Sequence, residues 1–273
     1  MSLTLETAAA LSDADLLALP PEEKERLARE LLTDLERHRQ EQHLLYYQPV
    51  SPEARKIHLS LAPEIIVSGG NRSSKTDTLL AELAIQMTGI IPFSLETEYP
   101  REKIRPSIRA RVVCTSLTNT MVPIILPKLQ WWQWNGRDCC RGGTCGGRGA
   151  PHGHWGWIPR HLLIRGEWSR SWSEKDRTLT LTTGSFCTLF SYDQEVTDFS
   201  GGSVHLVIHD EGPPSAIYRE NRMRTLDVGG RVYTAMTPPD EESASWDAAW
   251  IYDDLYEPGL PGPSKNPRID AFT

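Results

Sequence analysis

The residues best suited to chemistry lie in a glycine-rich turn between an apolar run and a helical segment. The run at 65–67 would end a strand, and 77–87 has the composition of a helix. A strand, a glycine-rich loop and a helix in this order are typical of a phosphate-binding loop. Glycines let backbone N–H groups surround a phosphate, and a helix N-terminus favours negative charge. The candidate phosphate-binding residues are Gly69, Gly70, Asn71, Arg72, Ser73, Ser74, Lys75 and Thr76.

Two residues of this loop would have specific tasks. Lys75 would reach the β- and γ-phosphates of a nucleotide, and the hydroxyl of Thr76 would ligate Mg²⁺. The pattern G-x-x-x-x-G-K-[ST] is incomplete, because Ser74 stands where the second glycine belongs. A serine incurs a steric cost if its φ is positive. An ordinary polar turn between strand and helix is the alternative interpretation.

Two adjacent carboxylates follow a second apolar run. Residues 204–209 read as a strand buried on both faces, and the run ends in Asp210 and Glu211. Acids at this end of a strand face the ligand crevice of an open α/β sheet. Asp210 would hold Mg²⁺ through water, and Glu211 would orient and polarise an attacking water. The alternative is a strand that ends in a solvated acidic turn.

A third β-rich run, at 231–236, is stopped by two prolines at 238–239. Thr234 and Thr237 fall near the C-terminal edge of the predicted sheet and could sense a γ-phosphate. The pattern is equally well explained by one more core strand.

In order and spacing, these motifs resemble the ATPase domain of the large terminase subunit of tailed bacteriophages. The resemblance covers roughly 46–256 and includes a hairpin-like segment at 179–186 and the Phe-Ser-Gly sequence at 199–201. It implies an α/β fold of the P-loop NTPase (ASCE/RecA-like) class. We expect a mainly parallel sheet with helices on both faces and a Gly/Cys-rich insertion.

The resemblance also implies an ATP-driven motor that packages double-stranded DNA into a procapsid. Its partners would be the portal protein, the small terminase subunit and further copies of itself in a ring, usually taken as a pentamer. It would act in the host cytoplasm and transiently at the portal vertex. By position in the motifs, the resemblance assigns phosphate contact to Arg72 and Lys75, Mg²⁺ to Thr76 and Asp210, catalysis to Glu211, and coupling of hydrolysis to movement to Thr234 and Thr237.

The sequence departs from the family pattern at two positions. Ser74 replaces the usual glycine, and Ser200 stands where some members carry an arginine thought to act on the neighbouring subunit's ATP. Any arginine finger must therefore come from elsewhere. The candidates after Glu211 are Arg219, Arg222 and Arg224, which could equally form a solvated basic helix face.

Composition agrees with an ordinary globular protein. The chain has 273 residues, 39% of them hydrophobic and 24% charged, and a net charge of −7. A protein that coats DNA would be basic, because phosphate contacts drive nucleic-acid affinity. The net charge of −7 therefore argues against a DNA-coating role. Acids at positions 6, 13 and 15 do not fit a signal peptide, so we expect a cytosolic protein.

Three segments are predicted along the chain. Residues 1–45 would be helical, with a capping box from Ser12 to Asp15 and a second helix that starts at the prolines 20–21. Residues 46–256 would form the ATPase domain, in which Gln48 or a nearby tyrosine could contact adenine. Residues 257–273 read as a linker toward an absent C-terminal nuclease domain, so we expect a truncated chain or the product of a split gene.

The predicted insertion, at about 135–160, combines thiols, imidazoles, glycines, arginines and tryptophans. Its potential Zn²⁺ ligands are Cys139, Cys140, Cys145, His152 and His154. A vicinal cysteine pair is poor spacing for zinc, so incidental cysteines in a mobile insertion are the alternative. Interleaved tryptophans and arginines could grip DNA or a neighbouring subunit. We favour packing in the core for the tryptophans.

Two other functions fit the same motifs. A helicase-like, nucleic-acid-stimulated ATPase would unwind short duplexes, which a packaging motor should not do. A non-hydrolysing nucleotide-binding assembly module would bind ATP without turnover, and it is favoured if Ser74 distorts the loop.

Overall fold

The computed structural model describes residues 12–70, 72–133, 153–237 and 249–273. The chain divides into two compact units. One comprises Met1–Gln42 and Gln133–His154, and the other comprises His43–Trp132 and Trp155–Thr273.

The described part of the smaller unit is mainly two N-terminal helices, α1 (Asp13–Ala18) and α2 (Pro21–Glu41). The backbone N–H of Asp15 donates to Oγ of Ser12 at 3.2 Å, and the backbone N–H of Ser12 donates back to Oδ2 of Asp15 at 3.2 Å. This exchange is the predicted capping box. Helix α2 begins at a proline, as predicted, because proline lacks the N–H that a first helical turn leaves unpaired.

The larger unit is built on an eight-stranded sheet in the order β10-β1-β9-β8-β2-β7-β6-β5. The strands from β10 to β7 run parallel, and β6 and β5 are added antiparallel. This topology confirms the predicted mainly parallel α/β fold. The strands are β1 (Glu64–Ser68), β2 (Arg109–Cys114), β5 (Trp172–Ser173), β6 (Thr178–Thr180), β7 (Phe186–Ser191), β8 (Leu206–His209), β9 (Arg231–Met236) and β10 (Ile269–Phe272), and a separate two-stranded ladder joins β3 (Trp131–Gln133) to β4 (Gly153–Trp155).

Helical segments connect the strands. The α-helices are α3 (Pro52–Leu59), α4 (Lys75–Thr88), α5 (Leu126–Gln130), α6 (Trp168–Ser171), α7 (Ser215–Leu226), α8 (Ala249–Ile251) and α9 (Glu257–Gly259). Two segments are π-helical, Leu117–Ile125 and Tyr252–Tyr256. Single 3₁₀ turns occur at His43–Tyr46, Phe93–Leu95, Arg101–Lys103, Arg160–Leu162, Ile164–Gly166 and Val196–Phe199.

Both faces of the sheet are covered, which explains why β1 and β8 are buried at every position. Ile65 packs in one core cluster with residues of α4. The next residue, Ile66, packs in a second cluster with Tyr218 of α7. Alternate side chains of a strand point to opposite faces, so a strand covered on both sides needs a continuous apolar run.

Two predicted segments differ from the structure. The sequence of 121–132 predicts a helix over that range, but the helical segment begins at Leu117 and ends at Gln130, and the tryptophans that follow lie in β3. The predicted linker at 257–273 contains α9 and β10, which pairs parallel with β1. Prolines and glycines dominate the start of that segment, but Ile269 and Ala271 alternate with more exposed residues and are buried, as an edge strand requires.

Within the described ranges, no helix is long and apolar enough to cross a lipid bilayer.

Candidate functional site

The candidate phosphate-binding loop lies between β1 and α4, in the larger unit. The N–H of Gly69 donates to the carbonyl of Met236 at 3.2 Å, so the start of the loop is tied to the end of β9. The loop turns tightly, because a Cβ at Gly69 would lie 2.9 Å from Oγ of Ser73. Arg72 has a φ of 65°, in the left-handed region. Asn71 lies outside the described residues.

Ser74 adopts the left-handed conformation, with φ 61° and ψ 19°. It precedes α4 and makes no side-chain capping hydrogen bond. The steric cost that the sequence predicted for a serine at the glycine position therefore applies, and it is of order 1–2 kcal/mol. The backbone at position 74 therefore has the left-handed conformation that a glycine at this position would favour.

The side chain of Lys75 folds back into the loop. Its Nζ donates to the carbonyls of Gly69 at 2.7 Å and Gly70 at 2.9 Å, and it lies 3.3 Å from Oγ1 of Thr237. Burial lowers the pKa of Lys75, and the nearby carboxylates of Glu211 and Asp210 act in the opposite direction. A buried ammonium group bonded to two carbonyls is ready to exchange them for phosphate oxygens.

The hydroxyl of Thr76 donates to Oδ1 of Asp210 at 2.6 Å. Burial raises the pKa of Asp210, and the hydrogen bond from Thr76 opposes that shift. A hydroxyl and a carboxylate are oxygen ligands that Mg²⁺ accepts, so this pair fits a magnesium site completed by water and phosphate. In the part of the chain that the structure describes, there is no cluster of three or more metal-binding His, Cys, Asp or Glu side chains.

Glu211 is held by the end of β9. The backbone N–H of Thr237 donates to its Oε2 at 3.1 Å, and the Thr237 hydroxyl lies 3.3 Å from its Oε1. Tyr192 donates its hydroxyl to the carbonyl oxygen of Glu211 at 2.7 Å. Glu211 has a φ of 72°, an uncommon value for a residue other than glycine. Such backbone outliers concentrate at functional sites.

The phosphate-loop residues and Glu211 line an open cavity of about 300 Å³. Its lining residues are Arg72, Ser73, Ser74, Lys75, Thr76, Asp77, Lys128 and Glu211. Lys128, in α5, was not identified from the sequence, and its Nζ pairs with Oδ1 of Asp77 at 2.6 Å. No motif marks Lys128, because its position depends on how the chain turns after β2.

Other candidates lie away from the cavity lining. Gln48 is exposed, and Thr234 is fully buried in β9, where it pairs with His209, the last residue of β8. Of the arginine-finger candidates, Arg219 is exposed on α7. The other two form ion pairs, Arg222 with Glu64 at 2.9 Å and Arg224 with Glu220 at 2.6 Å.

The zinc candidates Cys139, Cys140, Cys145 and His152 lie outside the described residues, and for His154 only the backbone, in β4, is described. Among the tryptophans near the insertion, Trp157 is buried, and its ring stacks on His43 with a centroid distance of 4.4 Å. Packing is therefore the correct interpretation for Trp157.

A buried polar chain, missed from the sequence, runs behind the acids. Arg111 donates to Oδ1 of Asn221 at 3.0 Å, which orients the amide so that its Nδ2 donates to Nε2 of His209 at 3.1 Å. Nδ1 of His209 then carries the proton and lies 3.3 Å from Oγ1 of Thr234. Burial lowers the pKa of His209 to about 3, so the ring is neutral. The chain links the strand that carries Asp210 to β9.

Comparison with solved structures finds phage terminases. The chain is similar to the large terminase ATPase domain of Thermus phage P74-26, with a TM-score of 0.48 and 15% identity over 84% of this chain and 82% of that chain. It is also similar to the large terminase of the thermophilic bacteriophage D6E, with a TM-score of 0.44 and 14% identity over 76% of this chain and 42% of that chain.

An ADP complex of the D6E protein has a TM-score of 0.39 and 16% identity, over 72% of this chain and 38% of that chain. No protein-family model matches this chain. No curated protein matches its sequence. The fold assignment therefore rests on the strand order and the pairing described above.

Proposed function

We propose that this chain is a magnesium-dependent ATPase of the terminase type, which drives viral double-stranded DNA into a procapsid. The observation that carries the proposal is the 2.6 Å hydrogen bond between Thr76 and Asp210, in a site that also contains Lys75 and Glu211. A loop lysine, a loop hydroxyl and two acids from another strand are the groups that hydrolysis of a nucleoside triphosphate requires.

The loop would bind and neutralise the phosphates. Lys75 would exchange the carbonyls of Gly69 and Gly70 for the β- and γ-phosphate oxygens, and Arg72 would add charge from the exposed side of the cavity. Thr76 and Asp210 would hold Mg²⁺. When bound, the ion supplies charge neutralisation for the phosphates.

Glu211 would act on the water. Its carboxylate would accept a hydrogen bond from a water placed in line with the γ-phosphate, which orients and polarises that water. Both carboxylate oxygens of Glu211 also contact Thr237. A change at the γ-phosphate that moves Glu211 would therefore also move the end of β9. We assign to Thr237, and through the buried chain to Thr234, the coupling of hydrolysis to movement.

The proposed motor needs partners. They are double-stranded DNA, the portal protein, the small terminase subunit and further copies of the chain in a ring, in the host cytoplasm and transiently at the portal vertex. A neighbouring copy could supply an arginine to the open side of the cavity. Turnover should then rise with protein concentration, because the site is complete only in the assembly.

The test pairs binding with turnover. Mg-ATP is titrated by calorimetry and phosphate release is measured at rising protein concentration, for the native chain, Lys75→Ala and Glu211→Ala. Lys56→Met, on the exposed surface of α3, is the matched control for loss of a lysine. We expect Lys75→Ala to lose binding and Glu211→Ala to lose turnover. Absence of nucleotide binding by the native chain would contradict the proposal.

The non-hydrolysing assembly module is the alternative, because a serine at positive φ leaves the loop strained although its backbone keeps the glycine-like conformation. That function predicts ATP binding without turnover at any protein concentration, and no effect of Glu211→Ala on phosphate release. The helicase-like function predicts that the native chain unwinds short duplexes, which is checked in the same preparation.

A further inference from the structure

Lys128 is a cation of the cavity that the loop motif does not contain. Its side chain is 10% exposed, and its Nζ lies 2.6 Å from Oδ1 of Asp77, in the first turn of α4. It shares the cavity with Lys75 and Thr76. Lys128 is therefore close enough to act on groups at the proposed metal and phosphate positions.

The segment that places Lys128 at the cavity contains a π-helix, which is an unusual element. Strand β2 pairs parallel with β8, so both end at the same edge of the sheet. After β2 the chain enters the π-helix Leu117–Ile125, which Ser116 caps by accepting from the N–H of Asn119 at 3.2 Å. The π-helix runs directly into α5. π-Helical turns are rare and occur often at functional sites, where they redirect a side chain.

The backbone at Lys128 is fixed by a neighbouring segment, so a change of its partner must come from rotation of its side chain. The N–H of Trp157 donates to the carbonyl of Lys128 at 2.9 Å, and the N–H of Ile158 donates to that of Leu129 at 3.1 Å. A Cβ at Gly156 would lie only 2.2 Å from the carbonyl oxygen of Lys128, so the two segments are in close contact. A lysine on a fixed backbone can exchange one anion for another by side-chain rotation.

The charges of the two anions determine whether Lys128 pairs with Asp77 or with the terminal phosphate of a bound nucleotide. Asp77 carries a single charge, and its side chain is 41% exposed, so its pairing with Lys128 is screened by water. The terminal phosphate of a nucleoside triphosphate carries more charge and offers three acceptor oxygens. A diphosphate lacks that group. Lys128 should therefore leave Asp77 when a triphosphate binds.

The geometry points to Lys128 as a residue that contacts the terminal phosphate of a bound nucleoside triphosphate from within the same chain, with Asp77 holding it when that phosphate is absent. This inference rests on the proposed function, because it requires a nucleotide in the cavity. It makes Lys128 a determinant of the preference for triphosphate over diphosphate.

The test compares affinities for ADP and for a non-hydrolysable ATP analogue, both with Mg²⁺, by calorimetry. Lys128→Met should weaken binding of the ATP analogue by about 10- to 100-fold, the range for one charge-assisted hydrogen bond, and change ADP affinity much less. Asp77→Asn should raise the affinity for the ATP analogue relative to that for ADP, because it removes the carboxylate that competes with the phosphate for Lys128. In the Lys128→Met background, the effect of Asp77→Asn on the ratio should be smaller.

A merely structural salt bridge gives a different pattern. Both substitutions would then lower the melting temperature, and both would change the two affinities alike. That result, or an unchanged ratio in Lys128→Met, would overturn the inference. Lys128→Arg should keep most of the native ratio, and Lys56→Met should leave it unchanged. If Lys128→Met does not fold, Lys128→Gln replaces it.

The same titrations separate this inference from the proposed function. If the native chain binds nucleotide and Lys75→Ala does not, while Lys128→Met keeps the native ratio, only the role of Lys128 is wrong. If the native chain binds neither nucleotide, both proposals are overturned.

Discussion

Thr76 and Asp210 are joined by a hydrogen bond of 2.6 Å between Oγ1 and Oδ1, although 134 positions separate them in the chain. One belongs to the first turn of the helix after β1, and the other follows β8. Strand β9 lies between these strands and runs parallel to both, so all three end at one edge of the sheet. A hydroxyl and a carboxylate are oxygen ligands of the kind that Mg²⁺ prefers, so this pair would suit a magnesium site.

The first prediction concerns the metal. We expect Asp210→Asn to weaken Mg²⁺-dependent binding of the ATP analogue by roughly 10- to 100-fold, because the amide has no charge with which to hold the ion. Calorimetry with Mg²⁺ and with EDTA measures the effect. In EDTA, the native chain and Asp210→Asn should bind with similar affinity. Asp253→Asn, which removes an exposed acid, is the control and should behave as the native chain.

The second prediction concerns the water. Glu211→Gln keeps an oxygen to accept from the N–H of Thr237 but loses the charge that polarises water. We expect nucleotide affinity to stay within about threefold, since the phosphate contacts remain, and turnover to fall by about 10²- to 10⁴-fold. Phosphate release under saturating ATP measures it. Turnover near the native rate would show that Glu211 does not activate the water.

The third prediction concerns Ser74. Its φ of 61° disfavours every residue with a Cβ, so Ser74→Gly should be more stable than Ser74→Ala by about 1 kcal/mol in urea unfolding. Removal of the Ser74 hydroxyl should itself change the free energy of unfolding little, because it makes no capping hydrogen bond.

Ser73 is the matched control, because its φ is not positive. At Ser73 the order should reverse, with the glycine variant less stable than the alanine variant by about 0.5–1 kcal/mol, because glycine loses more backbone freedom on folding. The same order at both positions would contradict the strain assigned to Ser74.

Much of the site could be predicted because its parts obey rules of parallel sheets. A glycine-rich turn before a helix, and acids that end a continuous apolar strand, must meet at the carboxyl edge when the strands are parallel. In the structure, Thr76 and Asp210 meet in a hydrogen bond at this edge, and Lys75 precedes Thr76 in the chain. The same reasoning also places Thr234 near this edge, and the strand register sets Thr234 opposite His209, the last residue of β8, where its side chain is fully buried.

The remaining features depend on tertiary contacts that leave no local pattern. Lys128 reaches the cavity only because a π-helix follows β2 and the backbone near Gly156 packs against α5. The prolines and glycines that precede β10 indicate a linker, so the sequence pattern does not predict this strand. His209 sits in an apolar run, and nothing in that run indicates Asn221 and Arg111 as its partners.

The last prediction is a pH dependence of stability. Burial lowers the pKa of His209 to about 3, whereas the unfolded chain returns the ring to about 6.5. Between these values the unfolded state binds a proton that the native state does not. The free energy of unfolding should therefore fall as the pH decreases from about 6.5, by at most about 1.4 kcal/mol per pH unit from this group. Above pH 7 the contribution is constant.

Urea unfolding from pH 5.0 to 7.5 isolates the effect, since carboxyl groups titrate mainly below this range. His209→Gln retains an amide that can bond to Asn221 and Thr234 but cannot titrate, so its stability should fall less steeply toward pH 5. His161→Gln, at an exposed position, should keep the native slope. Equal slopes in the native chain and in His209→Gln would mean that the folded ring takes up a proton over this pH range as readily as the unfolded one. The hydrogen bond from Asn221 to Nε2 would then be impossible, because a protonated ring has no acceptor.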